Sequence, residues 1–160
     1  MNRTALGLTA ILVLLAGCRG DPTDQLPDDP DELTLFSIDG TGTWKQPTTE
    51  PPLYGCPVLG RVEIGDPGRR REVMAAVRDG IRNAPKTPKG CFLPRHVIRV
   101  GKGGKTVDVV ICFQCDNYRM YRVGTDAGST GGGRISSASQ PALDKILMDA
   151  GIPLAPKVGE

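Results

Sequence analysis

Residues 91–115 read CFLPRHVIRVGKGGKTVDVVICFQC, and this stretch decides the fold. Two β-rich runs, 91–100 and 106–115, flank Gly101-Lys102-Gly103-Gly104, whose glycines accept the positive φ angles of a hairpin loop. In the second run Val107, Val109, Ile111 and Phe113 share one face by the two-residue period of a strand. Val110 and Cys112 place apolar side chains on the other face as well. A strand that is apolar on both faces is covered on both, so this run is expected at the centre of a sheet.

On the N-terminal side, residues 33–38 (LTLFSI) alternate and then meet Asp39-Gly40, the pattern of a short strand before a turn. Residues 40–57, rich in Gly, Thr and Pro, read as a loop around Trp44 and Tyr54. Residues 58–64 read as a strand with Val58, Gly60, Val62 and Ile64 on one face. On the C-terminal side, 118–123 continues as another strand or a bulged extension, and 125–133 (TDAGSTGGG) reads as a flexible loop. That loop has neither the Lys-Ser/Thr ending of a P-loop nor the strand–helix setting of a dinucleotide fingerprint, which argues against nucleotide binding.

Two helices complete the pattern. Asp66 can accept orphan amide protons as an N-cap, and Pro67 fits the first turn without losing a hydrogen bond. Val73, Val77 and Ile81, with Met74 beside them, then recur at helical spacing, and Pro85 and Pro88 end that helix by residue 84. Ser139 and Pro141 open a second helix with Leu143, Ile146, Leu147 and Ala150 on its buried face and Gly151 as the C′ residue. The run Arg69-Arg70-Arg71 falls in the wet first turn of the first helix, or else meets an anionic surface. The order lacks the strand–helix alternation of a doubly wound fold. It predicts an α+β domain over residues 34–160: a small antiparallel sheet with two amphipathic helices on one face.

Composition bounds the function. With 160 residues the chain has room for one domain, and 21 Gly with 14 Pro exclude a helical bundle or coiled coil. The net charge of +2 is too small for a whole-chain nucleic-acid argument, and no nucleic-acid partner is expected. Residues 1–33 hold 2 basic and 6 acidic side chains, so the remainder carries 18 basic against 12 acidic. There is no Gly-x-Ser-x-Gly, no paired-carboxylate motif and no His-Glu-x-x-His, which weighs against a hydrolase. No catalytic residue is assigned.

Residues 1–18 read MNRTALGLTAILVLLAGC: a positive Arg3, then an apolar stretch of about a dozen residues, too short for the roughly 20 of a membrane span. The ending Leu15-Ala16-Gly17-Cys18 resembles the lipobox of bacterial lipoproteins. The resemblance implies a signal peptide over 1–17, cleaved before Cys18, which then carries a diacylglycerol and an acyl chain such as palmitate. Each buried methylene contributes about 0.8 kcal/mol, so three chains would anchor the protein firmly. The implied localisation is the cell envelope, facing the periplasm or the exterior, with the membrane as partner through the lipid. Arg19 after the cysteine resembles the outer-membrane sorting pattern of some bacteria. Residues 18–33, with Pro22, Pro27 and Pro30 among six acids, are expected to form a solvated tether.

Four thiols remain beyond Cys18: Cys56, Cys91, Cys112 and Cys115. Export favours disulfides, and four cysteines allow three pairings. Cys91, His96, Cys112 and Cys115 would also make a Cys₃His set suited to zinc, or a thiol-redox site, with Arg95 as an anion contact. In a regular strand Cys112 and Cys115 point to opposite faces about 10 Å apart, so either use needs a bulge or turn near Gln114-Cys115, for which Asp116-Asn117 is suited. Asp108 is a sequence-near carboxylate that could orient His96.

The runs CFLPRHVIRV and TVDVVICFQC, with LDKILMDAGIPLAPK at 143–157, resemble an uncharacterised family of bacterial exported proteins. The resemblance covers roughly residues 53–157 and falls on Cys91, Pro94, Arg95, His96, Asp108, Cys112 and Cys115, but not on Cys56. It implies that those three cysteines and His96 act together, and it supplies no substrate or reaction. The first expectation is therefore a lipid-anchored binding or structural domain without a cofactor, partnered by a protein or envelope polymer. The alternative is a zinc or thiol-redox protein.

Overall fold

Gly103 and Gly104, at φ 56° and 74°, form the two-residue turn that joins β3 (His96–Lys102) to β4 (Lys105–Cys112). Positive φ at both central residues gives the turn whose twist matches that of paired strands. In this computed structural model, residues 22–87, 89–125 and 128–157 are described. The leader and the lipobox lie outside the described residues.

Around that hairpin stand β1 (Glu32–Ile38), β2 (Val58–Glu63), β5 (Asn117–Arg122) and β6 (Gly131–Arg134), in the spatial order β2-β1-β3-β4-β5-β6. All five pairings are antiparallel. With helices α1 (Pro67–Arg82) and α2 (Gln140–Asp149), the architecture is α+β, and β3 and β4 occupy the centre. Val109, Val110 and Ile111 are fully buried, as expected for a strand covered on both faces.

The sheet separates two apolar clusters. The larger joins Leu35, Ile98, Val109, Ile111, Tyr118 and Met120 of the strands to Val73, Met74 and Val77 of α1 and Leu143 and Leu147 of α2. The smaller contains Phe36, Ile38, Val58, Val97 and Val110, with Leu53, Cys56, Phe92 and Tyr121 packed against it. Asp66 caps α1 as expected, its Oδ1 accepting from the Arg69 N–H at 2.7 Å. Gly151, at φ 72°, follows the C-cap of α2.

Several expectations change. Residues 58–64 do not keep one face. The register slips between Ser37 and Ile38, which pair with Gly60 and Val58, and the extra residue turns Val58 toward the smaller cluster while Ile64 joins the larger. The glycine-rich loop yields a sixth strand: Gly131, Gly132 and Gly133 lie so close to β5 that a Cβ on Gly132 would stand 2.8 Å from the Tyr118 carbonyl. Ala150 is exposed, not buried. The acidic stretch expected to be a solvated tether packs onto the domain from residue 23. There Leu26 is buried in the larger cluster, Arg78 bonds Asp28 and the Leu26 carbonyl, and Asp31 bonds Lys102 and the Gly103 N–H. Arg70 of the basic run belongs to the same contact, donating to the Pro30 and Gly65 carbonyls at 3.0 and 2.7 Å.

Candidate thiol cluster and histidine pocket

The four residues expected to act together occupy two places, and strand register is the reason. His96 pairs with Ile111, so its side chain shares a face with Ile111. Cys112 is the next residue along β4 and therefore points to the opposite face.

On the Cys112 side the cysteines do converge. β4 ends at Cys112, and a tight turn over 113–116 reverses the chain, with the Asp116 N–H donating to the Phe113 carbonyl at 3.2 Å and Asp116 at φ 52°. Aspartate tolerates this left-handed conformation better than most residues. The turn swings Cys115 back so that its N–H donates to Cys112 Sγ at 3.2 Å. The opposite parity of Cys112 and Cys115 would hold only for a strand that continued.

Cys115 is disulfide-bonded to Cys91, with Cα atoms 5.6 Å apart. Cys112 stays a free, buried thiol beside that bond. The three sulfur atoms all lie within 4.8 Å of one another, close enough to ligate one metal ion if the disulfide were reduced. Among the described residues this cluster contains cysteines only, and His96 is not a member. Burial pushes the Cys112 thiol up, against the opposing effect of the N–H groups of Leu93 and Cys115. A thiol held protonated in this way is a poor nucleophile at neutral pH. Cys56, half-buried in the 40–57 loop, is raised too, by burial and by the charge of Asp39.

The disulfide ties the segment leading into β3 to the β4–β5 turn, and polar contacts repeat the tie. Asn117 Nδ2 donates to the carbonyls of Lys89 and Cys91 at 3.0 and 3.2 Å. Lys89 Nζ reaches Asp116 at 2.6 Å and the Gln114 carbonyl at 3.1 Å. Cys91 itself is exposed and borders an open groove of about 970 Å³, where the Arg119 guanidinium sits 4.1 Å over the Phe92 ring.

On the other face His96 is buried, its ring edge-on to Phe113 at 5.3 Å. Its Nε2 lies 2.7 Å from Asp144 Oδ1 of α2. Burial would raise Asp144, but hydrogen bonds from His96 and Gln140 and the charges of His96 and Arg95 outweigh it and hold the carboxyl below its ordinary range. Arg95 is nearly buried beside them and donates to the Ala155 carbonyl.

Asp144, not Asp108, is thus the carboxylate that orients His96. Asp108 is buried on the opposite face, held by Arg99 through two hydrogen bonds of 2.8 and 2.7 Å and by the Tyr54 hydroxyl at 2.8 Å. Desolvation and the Asp108 carboxylate push the Tyr54 phenol above its usual range. Tyr54, at φ 53° and stacked on Tyr121, closes the 40–57 loop over this ion pair. Nothing in the local sequence marked Asp144, because its contact with His96 spans 48 residues and depends on where α2 lands.

No family model matches the chain, and neither does any curated protein or solved structure. No helix of the described residues is long and apolar enough to cross a membrane.

Proposed function

We propose that the chain is an exported, lipid-anchored protein of the cell envelope whose α+β domain binds or supports other envelope components without catalysing a reaction. The observation that carries this reading is the Cys91–Cys115 disulfide, a bond that persists in oxidising compartments and is rare in the cytosol. It agrees with the leader of residues 1–17 and with Cys18 as the lipidated residue. In this reading both amphipathic helices cover one face of the sheet, which the apolar cluster shared by α1, α2 and the strands supports. The acidic segment that packs from residue 23 leaves only a few residues beyond Cys18 as a spacer, so the domain would sit close to the bilayer.

Metabolic labelling of the intact chain with a radioactive or alkyne-tagged palmitate tests the anchor. Label is expected in the wild type and is lost in Cys18→Ala. Label that survives Cys18→Ala, or a wild-type chain recovered in the aqueous phase of a detergent partition, would contradict it.

A second reading is favoured by the proximity of the three sulfurs: after reduction, Cys91, Cys112 and Cys115 supply three thiolates for zinc or another thiophilic ion, with Cys91 the exposed redox-accessible member. Elemental analysis of chain purified without chelator, before and after reduction, separates the readings. About one equivalent of zinc after reduction supports the second, and none supports the first.

A further inference from the structure

The buried thiol of Cys112 sits beside a bond that it can attack. Its sulfur and those of Cys91 and Cys115 all lie within 4.8 Å of one another, and Cys91 is bonded to Cys115. A free thiol beside a disulfide is the arrangement from which thiol–disulfide exchange proceeds. Cys112 and Cys115 flank the start of the tight turn that follows β4, and the Cys115 N–H donates to Cys112 Sγ at 3.2 Å. The N–H of Leu93 donates to the same sulfur at 3.4 Å. Both donors stabilise the negative charge that the sulfur carries as it attacks.

Burial decides which way the bond can move. Attack on Cys115 expels the sulfur of Cys91, an exposed residue, and water solvates the thiolate that leaves. Attack on Cys91 would instead expel the sulfur of Cys115, which is fully buried, as a thiolate shut off from solvent. The first direction is therefore favoured. It moves the cross-link from a separation of 24 residues to that of a Cys-x-x-Cys pair. Asn117 and Lys89 still hold the segment leading into β3. The freed Cys91 borders the open groove of about 970 Å³, so an incoming molecule has access to it.

We propose that Cys91 is a mixed-disulfide site, freed by internal exchange with Cys112 and then taken by the sulfur of a small external disulfide. In the first step Cys112 gives its proton to solvent and its sulfur bonds Cys115. The Cys91–Cys115 bond breaks, and Cys91 leaves as a thiolate. In the second step Cys91 attacks the external disulfide and bonds one half of it, and the other half leaves as a thiolate and takes up a proton. One external disulfide is consumed, one thiol is released, and no other oxidant is required. The inference rests on the same three sulfurs as the zinc reading and deepens it without needing a metal. Burial, which raises the Cys112 thiol, slows the first step at neutral pH, and the untreated chain rests with Cys91 bonded to Cys115.

The test incubates the intact Cys56→Ser chain in detergent with glutathione disulfide and a chelator, without reductant, and maps its peptides by mass spectrometry. Glutathione is expected on Cys91, together with a bond between Cys112 and Cys115. Adding Cys112→Ala is expected to cut the Cys91 adduct at least tenfold and to leave Cys91 bonded to Cys115. Because Cys112 is buried, that variant could unfold, and the positions of adduct and bond in the parent chain then decide alone. Glutathione on Cys112 with the Cys91–Cys115 bond intact, glutathione on Cys115, or no adduct would each overturn the proposal. Equal labelling of Cys91 in a folded Cys112→Ala chain would do the same. The chelator keeps metal out, so failure here leaves the zinc reading to the elemental analysis.

Discussion

The two faces of the sheet solve the same problem with different materials. One buries the larger apolar cluster, where Leu35 and Ile98 of the strands meet Met74 of α1 and Leu143 of α2, all fully buried. The other is covered by the 40–57 loop over a smaller cluster, and its most buried polar group, Asp108, is neutralised by Arg99 and Tyr54. Loops cannot present the continuous apolar stripe of a helix, so the loop-covered face relies on a paired charge, a stacked tyrosine and, at its end, a disulfide. The lesson extends to the site. Four residues close in sequence look like one ligand set, yet a strand sends alternate side chains to faces with different chemistry.

Two fully buried isoleucines should show the contrast most strongly. Ile98→Ala, in the cluster shared with α1 and α2, is expected to cost about 4 kcal/mol, because packed helices collapse poorly into a cavity. Ile38→Ala, beneath the loop, should cost about 2 kcal/mol, since the loop can settle into the space. Equal midpoint shifts in urea unfolding would erase the distinction.

Next in size is the staple. Cys91→Ser removes a cross-link spanning 24 residues, and chain-entropy arguments give a loss of about 3 kcal/mol. Reduction of the wild type should reproduce that loss, whereas Cys56→Ser should change little; a reduced protein as stable as the oxidised one would contradict the role.

Tyr54→Phe should cost about 1 kcal/mol, since Arg99 still pairs with Asp108. A spectrophotometric titration reads the same contact: Tyr54→Phe should remove phenolate absorbance that appears above the usual tyrosine range. Loss of absorbance within the usual tyrosine range instead would show that the loop is not seated.

The smallest effect belongs to the other face. Asp144 has its carboxyl lowered in the folded state, so it contributes stability above its ordinary value of 3.8 that is lost as pH falls through the lower folded value. Asp144→Asn should therefore lower stability at neutral pH and flatten the acid limb below about pH 4. An unchanged acid limb would remove Asp144 from the account.

Much of this was legible beforehand. The hairpin, the central position of β4, the Asp66-Pro67 start of α1 and the Gly151 end of α2 follow from local chemistry, although the four-residue loop expected over 101–104 tightens to Gly103-Gly104, with Gly101 and Lys102 in β3. The register of that hairpin even carried the answer for His96: once Lys102 opposes Lys105, His96 must oppose Ile111 and leave the Cys112 face. Less was legible where distant segments meet. The bulge that turns Val58 over, the docking of Leu26 beneath α1 and the strand made of Gly131, Gly132 and Gly133 depend on partners far away in sequence. So does Asp144. The turn at 113–116 lies between: Asp116 signalled it, but only the path of the chain shows that it brings three sulfurs together.

Parity divides the four residues, leaving Cys91 and Cys115 bonded, Cys112 a sheltered thiol and His96 apart. Peptide mapping by mass spectrometry, after alkylation of the intact chain without reductant, tests it most directly. The expected result is a Cys91–Cys115 linked peptide, Cys56 alkylated in the native state and Cys112 alkylated only after unfolding. A disulfide that includes Cys112, or Cys91, Cys112 and Cys115 all alkylated as free thiols, would contradict it.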